Sequence, residues 1–373
     1  MKFVLAPDSF KESMTSMEAC KAMERGIRKV FYDAECVKVP MADGGEGTLE
    51  ALVHATGGKV EGIMVTAPLG NKVEAFYGIL GNGKTGVIEM ASASGIQLVK
   101  REDRNPLVTT TFGTGELIKK VLDEGIKHLV IGIGGSATND GGAGMLQALG
   151  GKLLDKDGNQ ISFGGGALEN IESIDLSSLD ERLKSISIEV ACDVTNPLAG
   201  KNGASAIFGP QKGATEEMVK KLYSNLSHYA SIIKRDLGKE VSNIEGAGAA
   251  GGLGAALLIL GGELKRGIEI VIKHTELEEK IKGADFVFTG EGSIDSQTIY
   301  GKTPMGVASI AKKEGVKTLA FAGKLGDGVE GLYDIGINSI FSIMTGVSSL
   351  DEALKNGEKN LEITTENVVR LLK

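Results

Sequence analysis

The residues best suited to chemistry lie together in one polar segment near the end of the chain. Residues 289–298 read TGEGSIDSQT, and GKTP follows at 301–304. The segment begins where the apolar run 286–288 ends, and ligands of open α/β sheets bind beyond the carboxyl ends of strands. Backbone N–H groups of Gly290 and Gly292 can approach an anion, while carboxylates can hold a cation or accept a proton. A tight turn would explain the glycines but not the whole segment, which therefore predicts a ligand site.

Four further polar loops follow predicted strands, at residues 8–13, 43–47, 132–142 and 191–198. The loop at 132–142 combines glycines, hydroxyl groups and a helix N-terminus, which together suit a phosphate group. One acid after a strand is often only a turn former, but five such loops favour a functional site. Glycine loops with lysines and carboxylates, and without a histidine cluster, are typical of phosphoryl transfer. The carboxylates suit Mg²⁺.

Composition narrows the classes of function. The chain has 373 residues, which predicts about two domains. Its net charge is −8 and its Lys and Arg residues are scattered, which argues against a nucleic-acid partner. The longest apolar runs, such as 255–260, are far shorter than a membrane span, so we expect no membrane association and a cytoplasmic protein. Cys20, Cys36 and Cys192 have neither disulfide nor zinc spacing.

The order of predicted elements indicates an α/β fold with two α/β domains. Strands and helices alternate at both ends of the chain, which predicts a Rossmann/flavodoxin-like domain with a parallel sheet. Three β-patterned runs between residues 61 and 90 are joined by short turns and therefore predict antiparallel hairpins. We expect one domain from residues 1–60 plus 284–373 and a second, mixed α/β domain inserted at 61–283. A cleft between them would be the natural ligand site.

The sequence GILGNGKT at 78–85 matches the nucleotide-loop pattern GxxxxGK[ST]. That mechanism requires a strand before the loop and a helix that begins at the lysine. Residues 86–90 instead have the pattern of a returning strand, and Asn82-Gly83 is a favoured hairpin turn. The match therefore predicts a hairpin, and Lys84 is not expected to bind nucleotide.

Residues 246–251, GAGAAG, match the dinucleotide pattern GxGxxG, which is weak evidence alone. The preceding residues make a poor strand, and no acidic residue stands at the required distance. We expect a helix start of small residues that packs closely against its neighbour. Close approach of this backbone to a ligand remains an open alternative.

In chain order the polar loops resemble the motifs of bacterial type I glycerate kinases. The matching segments are PDSFKES (7–13), MADGGEGT (41–48), TFGTG (111–115), GGSATND (134–140), CDVTNPL (192–198) and TGEGSID (289–295). The resemblance implies an ATP-dependent kinase with two α/β domains around a cleft. Its substrate would be D-glycerate and its product 2-phosphoglycerate, with 3-phosphoglycerate as the alternative.

Individual roles follow from chemistry. Glycerate is an anion with two hydroxyl groups, so it needs a cation or backbone donors and an acid that orients the attacking hydroxyl. Asp193 is the predicted base because a strand-end position is rigid, although a turn-capping role is equally open. Lys11 and Asp43 are further catalytic candidates. The other predicted residues are Ser9, Asp8 and Lys302 for glycerate, Gly134, Gly135, Ser136, Thr138, Gly290 and Gly292 for ATP, and Glu291 and Asp295 for Mg²⁺.

Two other functions remain open at this point. A non-catalytic sensor of sugar acids would usually carry an output module, and neither a helix-turn-helix nor a basic arm is visible. A nicotinamide-dependent oxidoreductase is supported only by the weak GxGxxG match. We expect a small-molecule substrate, no nucleic acid, and either a monomer or a homodimer.

Overall fold

The chain forms two compact units in the computed structural model, which describes residues 1–299 and 301–373. The first unit consists of Met1–Asp43, Glu50–Gly58 and Arg266–Lys373. The second consists of Gly44–Leu49 and Lys59–Lys265.

The strands and helices alternate over much of the chain. The strands are β1 (Lys2–Leu5), β2 (Glu35–Lys38), β3 (Lys59–Thr66), β4 (Lys72–Ile79), β5 (Thr85–Glu89), β6 (His128–Gly132), β7 (Lys152–Leu154), β8 (Ser173–Asp175), β9 (Ser187–Ala191), β10 (Glu263–Lys265), β11 (Phe286–Ile294), β12 (Lys317–Leu325) and β13 (Ile337–Ser342). The α-helices are α1 (Ser16–Arg28), α2 (Thr48–Thr56), α3 (Ala91–Ser94), α4 (Phe112–Asp123), α5 (Ala143–Ala148), α6 (Ala204–Phe208), α7 (Glu216–Leu237), α8 (Ala249–Ile259), α9 (Gly267–His274), α10 (Leu277–Ile281), α11 (Thr303–Lys313), α12 (Gly331–Ile335), α13 (Leu350–Lys355) and α14 (Gly357–Arg370).

The first unit contains a five-stranded parallel sheet in the order β2-β1-β11-β12-β13. Numbered within the unit, this is the flavodoxin-like order 2-1-3-4-5. Aromatic side chains of Phe3, Phe288 and Phe321 are fully buried in its core. A capping box begins α1: Glu18 N donates to Thr15 Oγ1 at 3.2 Å, and Thr15 N donates to a Glu18 carboxylate oxygen at 2.8 Å.

Strands β11 and β12 are longer than the sequence indicates. The apolar run predicts a strand that ends at Phe288, with a loop after it, and this is wrong: β11 continues to Ile294. The reason is parallel pairing, which carries on through Gly290 opposite Phe321 and through Ile294 opposite Leu325. Backbone pairing does not require apolar side chains, so hydrophobicity alone places the strand end too early.

The second unit contains a six-stranded mixed sheet in the order β10-β9-β6-β5-β4-β3. The neighbours from β10 to β5 are parallel, and β5, β4 and β3 are antiparallel. Strands β7 and β8 form a separate antiparallel pair. The predicted α/β fold, with one parallel and one mixed sheet, is confirmed. Among the described helices, none is both long and apolar enough to span a membrane.

The nucleotide-loop match at 78–85 lies in a β-hairpin. Strands β4 and β5 are antiparallel, and Gly83 between them has a left-handed φ of 65°. A β-strand rather than a helix begins just after Lys84, so the phosphate-binding geometry of that motif is absent from this segment.

Replacing Lys84 with alanine is therefore expected to leave catalysis nearly unchanged. The side chain lies in an exposed turn, where substitutions usually change stability by no more than about 0.5 kcal/mol. Steady-state kinetics should show kcat and the KM for ATP within about twofold of wild type, a span of about 0.4 kcal/mol. A large rise in the KM for ATP would show that Lys84 binds nucleotide after all.

The GxGxxG segment leads into a close-packed helix, as expected, but residues 250–252 have left-handed φ values of 52°, 70° and 93°, so regular helix begins only after them. Residues 239–248 contain turns rather than a strand. A Cβ atom at Gly248 would collide with the Pro197 carbonyl oxygen, and one at Gly251 would collide with that of Thr138. Gly251 also has a left-handed φ of 70°. Small residues are required here because other backbone segments approach closely.

The limits of the units differ from those of the predicted domains. Residues 44–49 and 59–60 are predicted in the domain that contains both termini but belong to the second unit. Residues 266–283 are predicted in the inserted domain but belong to the first unit. Helices α9 and α10 lie in this segment and both contact α11. Their packing partner lies beyond the predicted domain boundary, so the pattern of residues 266–283 alone does not reveal it.

Candidate active site

Three carboxylates lie at the carboxyl edge of the parallel sheet in the first unit. Asp8 follows β1, Asp43 follows β2, and Glu291 lies near the end of β11. Pairing between β1 and β11 continues beyond the strand, because Asp8 N donates to Gly290 O at 2.8 Å. In the flavodoxin-like order the strand sequence reverses between β1 and β11, and ligands bind at such switch points.

The carboxyl group of Asp8 is buried and held by two donors. Its Oδ2 accepts a hydrogen bond from Thr303 Oγ1 at 2.5 Å, and its Oδ1 accepts one from the backbone N of Ser9 at 2.6 Å. Burial raises the pKa of Asp8 to about 6; Thr303 opposes this effect, and the negative charge of Asp43 adds to it. A carboxylate that titrates near neutral pH can accept a proton from a substrate hydroxyl.

Glu291 has a similar environment. Its side chain is 12% exposed, its Oε1 accepts a hydrogen bond from Thr298 Oγ1 at 3.0 Å, and Lys302 Nζ lies 3.6 Å from the same oxygen. Burial raises the pKa of Glu291 to about 7; Lys302 and Thr298 oppose the shift, and Asp8 and Asp43 reinforce it. We call Asp8, Asp43 and Glu291 the acidic cluster. The negative charges of Asp8 and Asp43 act on Glu291, so a bound cation would be favoured electrostatically.

The lysines predicted from the sequence occupy different positions. Lys302 precedes α11 as its N-cap, and its side chain is about one third exposed. Lys11 is exposed, in the loop after β1. A Cβ atom at Gly292 would lie 3.4 Å from the backbone N of Lys11, so this loop runs close to β11. Ser9, beside Asp8, is half-buried.

Gly290 has a structural reason to be glycine. A Cβ atom there would collide with the carbonyl oxygen of Phe321 on β12, so the close approach of the two strands excludes other residues. Gly292 has more room: the same added atom would meet its nearest neighbour at 3.4 Å. Binding of ATP by these two glycines stays a prediction.

Asp295 caps a short helix. Its Oδ1 accepts a hydrogen bond from Gln297 N at 2.8 Å, and its own N–H donates to Thr298 Oγ1 at 3.2 Å. Thr298 therefore links Asp295 to Glu291 through one hydroxyl group. The capping hydrogen bond occupies Oδ1 of Asp295, so the predicted contact with Mg²⁺ would be made by Oδ2.

In the second unit the glycine loop, residues 134–138, follows β6. The carbonyl oxygen of Gly135 accepts a hydrogen bond from Ile96 N at 2.8 Å. Within residues 1–299 and 301–373, the N–H groups of Gly134, Gly135 and Ser136 donate no hydrogen bond. Gly135 has a left-handed φ of 71°, and Gly134 and Gly135 are exposed. Consecutive free N–H groups around a left-handed residue form the concave anion site called a nest.

The hydroxyl groups of this loop are turned away from solvent. Ser136 is 7% exposed, and its Oγ accepts a hydrogen bond from Lys212 Nζ at 2.7 Å. Thr138 is fully buried, and its Oγ1 has no hydrogen-bond partner in the described part of the chain. The backbone is thus better placed than these side chains to meet a phosphate group.

Lys212 is a buried cation that sequence reasoning did not find. It is 2% exposed, and its Nζ donates to Thr138 O at 2.6 Å as well as to Ser136 Oγ. Burial lowers the pKa of Lys212 to about 7, and the charge of Asp140 opposes the shift. The surrounding sequence, GPQKG, resembles any surface turn; no local signal marks the lysine as buried.

Asp140 fixes the end of the glycine loop. Its carboxylate accepts hydrogen bonds from Thr111 N and Thr111 Oγ1, both at 2.8 Å, from Gly142 N at 3.1 Å and from Gly144 N at 3.3 Å. Burial raises its pKa against these donors. Asp140 therefore connects the start of α5 to the start of α4, and the motifs that contain Thr111 and Asp140 are in contact in the fold.

Asp193 is exposed and lies just after β9, the neighbour of β6 in the same sheet. Ala191 pairs with Gly132, so Asp193 and the glycine loop leave the sheet at the same edge. Its predicted role as the base stays a prediction. Sequence reasoning missed Lys212. It included Thr298 and Thr303 in the polar segment but gave them no role, and their hydroxyl groups bind Glu291 and Asp8 of the acidic cluster.

Comparison with known proteins gives one consistent result. The profile of the glycerate kinase family matches residues 3–373. Relatives include the glycerate kinase of Haemophilus influenzae, 56% identical over 100% of this chain and 99% of its own. The glycerate 2-kinase of Escherichia coli K12 is 55% identical over 100% of this chain and 98% of its own.

A solved structure agrees with these sequence matches. The crystal structure of a candidate glycerate kinase 2 from Salmonella typhimurium LT2 superposes with a TM-score of 0.92 at 51% identity, covering 100% of this chain and 98% of that one. The resemblance found in the polar loops is thereby confirmed. The chain belongs to the glycerate kinase family.

Proposed function

We propose that this ATP-dependent glycerate kinase transfers the γ-phosphoryl group to the 2-hydroxyl of D-glycerate, giving 2-phosphoglycerate and ADP. The observation that carries the proposal is the acidic cluster, in which two buried carboxyl groups titrate near neutral pH. Perturbed carboxyl groups of this kind concentrate at active sites. The Escherichia coli relative, named a glycerate 2-kinase, supports the choice of hydroxyl.

Asp8 is our candidate for the general base. Its carboxylate would accept the proton of the attacking hydroxyl as the new oxygen–phosphorus bond forms and the bond to ADP breaks. The hydrogen bonds from Thr303 and Ser9 fix the carboxylate and leave lone pairs on both oxygens. Asp193, the base predicted from sequence, is exposed and is the alternative.

The acidic cluster has the chemistry of a Mg²⁺ site. Mg²⁺ prefers oxygen ligands and is usually held by one or two carboxylates together with phosphate groups and water. Glu291 of this cluster would be one ligand, and Asp295, which lies outside the cluster, would be a second. Within the described residues no group of three or more His, Cys, Asp and Glu side chains could hold a metal ion, so the cation would depend on substrate oxygens. When bound, Mg²⁺ would neutralise charge on the transferred phosphoryl group.

The remaining residues would bind the two anionic substrates. We assign the phosphate groups of ATP to the N–H groups of the glycine loop, with Gly290 and Gly292 as further candidates. Lys302 and Lys11 would attract the carboxylate of glycerate, and Ser9 would donate a hydrogen bond to it. Because ATP is the donor, we place the reaction in the cytoplasm. A monomer or a homodimer stays the predicted state.

Product analysis tests the proposal directly. Purified protein with ATP, Mg²⁺ and D-glycerate is expected to release ADP in a coupled assay, and ³¹P and ¹³C NMR should identify 2-phosphoglycerate. L-Glycerate serves as the control acceptor. Formation of 3-phosphoglycerate would overturn the assignment of the hydroxyl. Absence of turnover would favour the sensor, and reduction of a nicotinamide would favour the oxidoreductase.

A further inference from the structure

Lys212 is unusual because a buried lysine ordinarily needs an ionic partner. In the described part of the chain no ion pair of Lys212 is found, since Asp140 uses its oxygens on four other donors. The bonds of the ammonium group go instead to Ser136 Oγ and Thr138 O. Both acceptors belong to the glycine loop and flank Ala137.

The segment that carries Lys212 is itself fixed. Lys212 ends a short turn of 3-10 helix, Pro210–Lys212, and Gly213 after it has a left-handed φ of 90°. A Cβ atom at Gly213 would collide with the carbonyl oxygen of Arg104. The Arg104 guanidinium group donates to Gln211 O at 3.4 Å. The lysine therefore approaches the loop from a rigid support.

The two hydrogen bonds control which groups of the loop face outward. Ser136 Oγ and Thr138 O accept hydrogen bonds from Lys212, and Ala137 O accepts one from Thr109 Oγ1 at 2.9 Å. These three acceptors are therefore bonded to groups inside the protein. Gly134 and Gly135 are exposed, and within the described residues their N–H groups donate no hydrogen bond. A preorganised set of donors binds an anion without the cost of ordering.

We propose that Lys212 is a positioning residue for ATP, and that its two hydrogen bonds hold the glycine loop in the conformation that presents N–H groups to phosphate. The inference rests on the proposed function, because it takes the loop to be the phosphate site. Lys212 does not touch the nucleotide; it acts through Ser136 and Thr138. The positive charge of Lys212 would in addition attract the negatively charged phosphate groups. Burial lowers the pKa of Lys212 to about 7 because it disfavours the charged form, and the neutral amine still has two N–H donors for these hydrogen bonds.

The test compares two substitutions at Lys212. Lys212→Met removes both donors and has a side chain one atom shorter than that of lysine. Lys212→Gln has the same length as the methionine variant and keeps an NH₂ group that can donate twice without charge. We expect Lys212→Met to weaken ADP binding, measured by calorimetry, and to raise the KM for ATP by about 10- to 100-fold, as expected for losing hydrogen bonds from a charged group. The KM for D-glycerate should stay near wild type, and Lys212→Gln should recover ADP affinity to within about threefold, less than 1 kcal/mol.

The controls separate positioning from general damage to the fold. Lys220→Met is the matched variant, since Lys220 is an exposed lysine on α7 in the same unit, and it should bind ADP as wild type does. Thermal unfolding of each variant is measured alongside. Should Lys212→Met fail to fold, Lys212→Gln decides: affinity within threefold of wild type supports the inference, and a tenfold loss overturns it.

Three results would overturn the inference. One is wild-type ADP affinity in folded Lys212→Met. Another is equal losses in the Met and Gln variants, which would assign the effect to charge. The third is a parallel rise in both KM values, which would indicate non-specific damage. Failure of the proposed function would look different, because wild-type protein would then fail to phosphorylate D-glycerate.

Discussion

Replacing Asp8 with asparagine is expected to lower kcat by about 10²–10⁴-fold, the usual contribution of a general base. Asparagine has the shape of aspartate but cannot accept the proton of a hydroxyl group. The hydrogen bond from Thr303 fixes the carboxylate in the wild-type protein, so the loss should appear in kcat more than in the KM for glycerate. A coupled assay for ADP at pH 8, where Asp8 with its pKa of about 6 is ionised, measures the effect.

The same substitution is not expected to destabilise the fold. Burial raises the pKa of Asp8, which means that the ionised form is disfavoured in the folded protein. A neutral amide removes the buried charge and its repulsion by Asp43, which offsets the loss of one hydrogen-bond acceptor. The melting temperature at pH 8 should therefore equal or exceed that of wild type, as is common for functional residues.

Two further variants serve as a control and as a test of the alternative base. Asp33→Asn changes an exposed aspartate of the same unit and should leave kcat and stability unchanged. Asp193→Asn tests the base predicted from sequence. Near-normal turnover in Asp8→Asn together with a large loss in Asp193→Asn would return the role of base to Asp193.

The fold and the positions of several polar segments near strand ends could be predicted from local pattern. Alternation of strands and helices indicated the parallel sheet, and Asn82-Gly83 between two β-patterned runs indicated a hairpin rather than a nucleotide loop. Acidic and glycine-rich loops after apolar runs pointed to Asp8 and Glu291, which the structure brings close enough to shift the pKa of Glu291. These features depend on residues close together in sequence.

What could not be predicted depends on contacts between distant segments. Thr303 binds Asp8 from 295 residues away, and Lys212 binds Ser136 from 76 residues away. Hydroxyl groups and lysines are common on protein surfaces, so residue type alone gives no sign of such burial. The extension of β11 through Glu291 likewise depends on its pairing with β12.

Replacing Glu291 with glutamine is expected to flatten the dependence of stability on pH between about pH 4.5 and 7. The ordinary pKa of glutamate is 4.5, and burial raises that of Glu291 to about 7 in the folded protein. Between these values the folded chain keeps a proton that the unfolded chain has lost. The free energy of unfolding of wild type must therefore fall as pH rises through this window, by on the order of 3 kcal/mol from this group.

Glutamine is neutral at every pH, so the variant lacks this part of the slope. At pH 8 it should be more stable than wild type by roughly 1–3 kcal/mol, because no charge is buried. The part of the slope due to Asp8 remains, with its own window from 3.8 to about 6. Urea unfolding at a series of pH values measures both curves. Glu35→Gln, at an exposed position on β2, is the matched control and should follow wild type.

The gain in stability should accompany a loss of function. If Glu291 binds Mg²⁺, its amide would be a weaker ligand, and kcat should fall by about 10²-fold, near the effect of losing one electrostatic group in an active site. Protons compete with the cation for Glu291, so in wild type the Mg²⁺ concentration for half-maximal activity should rise as pH falls below about 7. A variant with unchanged Mg²⁺ dependence and an unchanged pH slope would show that Glu291 is neither a ligand nor a buried acid. If Glu291→Gln gained the full stability and kept normal turnover, Glu291 would not be needed for catalysis. The cation would then be assigned to Asp295 and Asp43 instead.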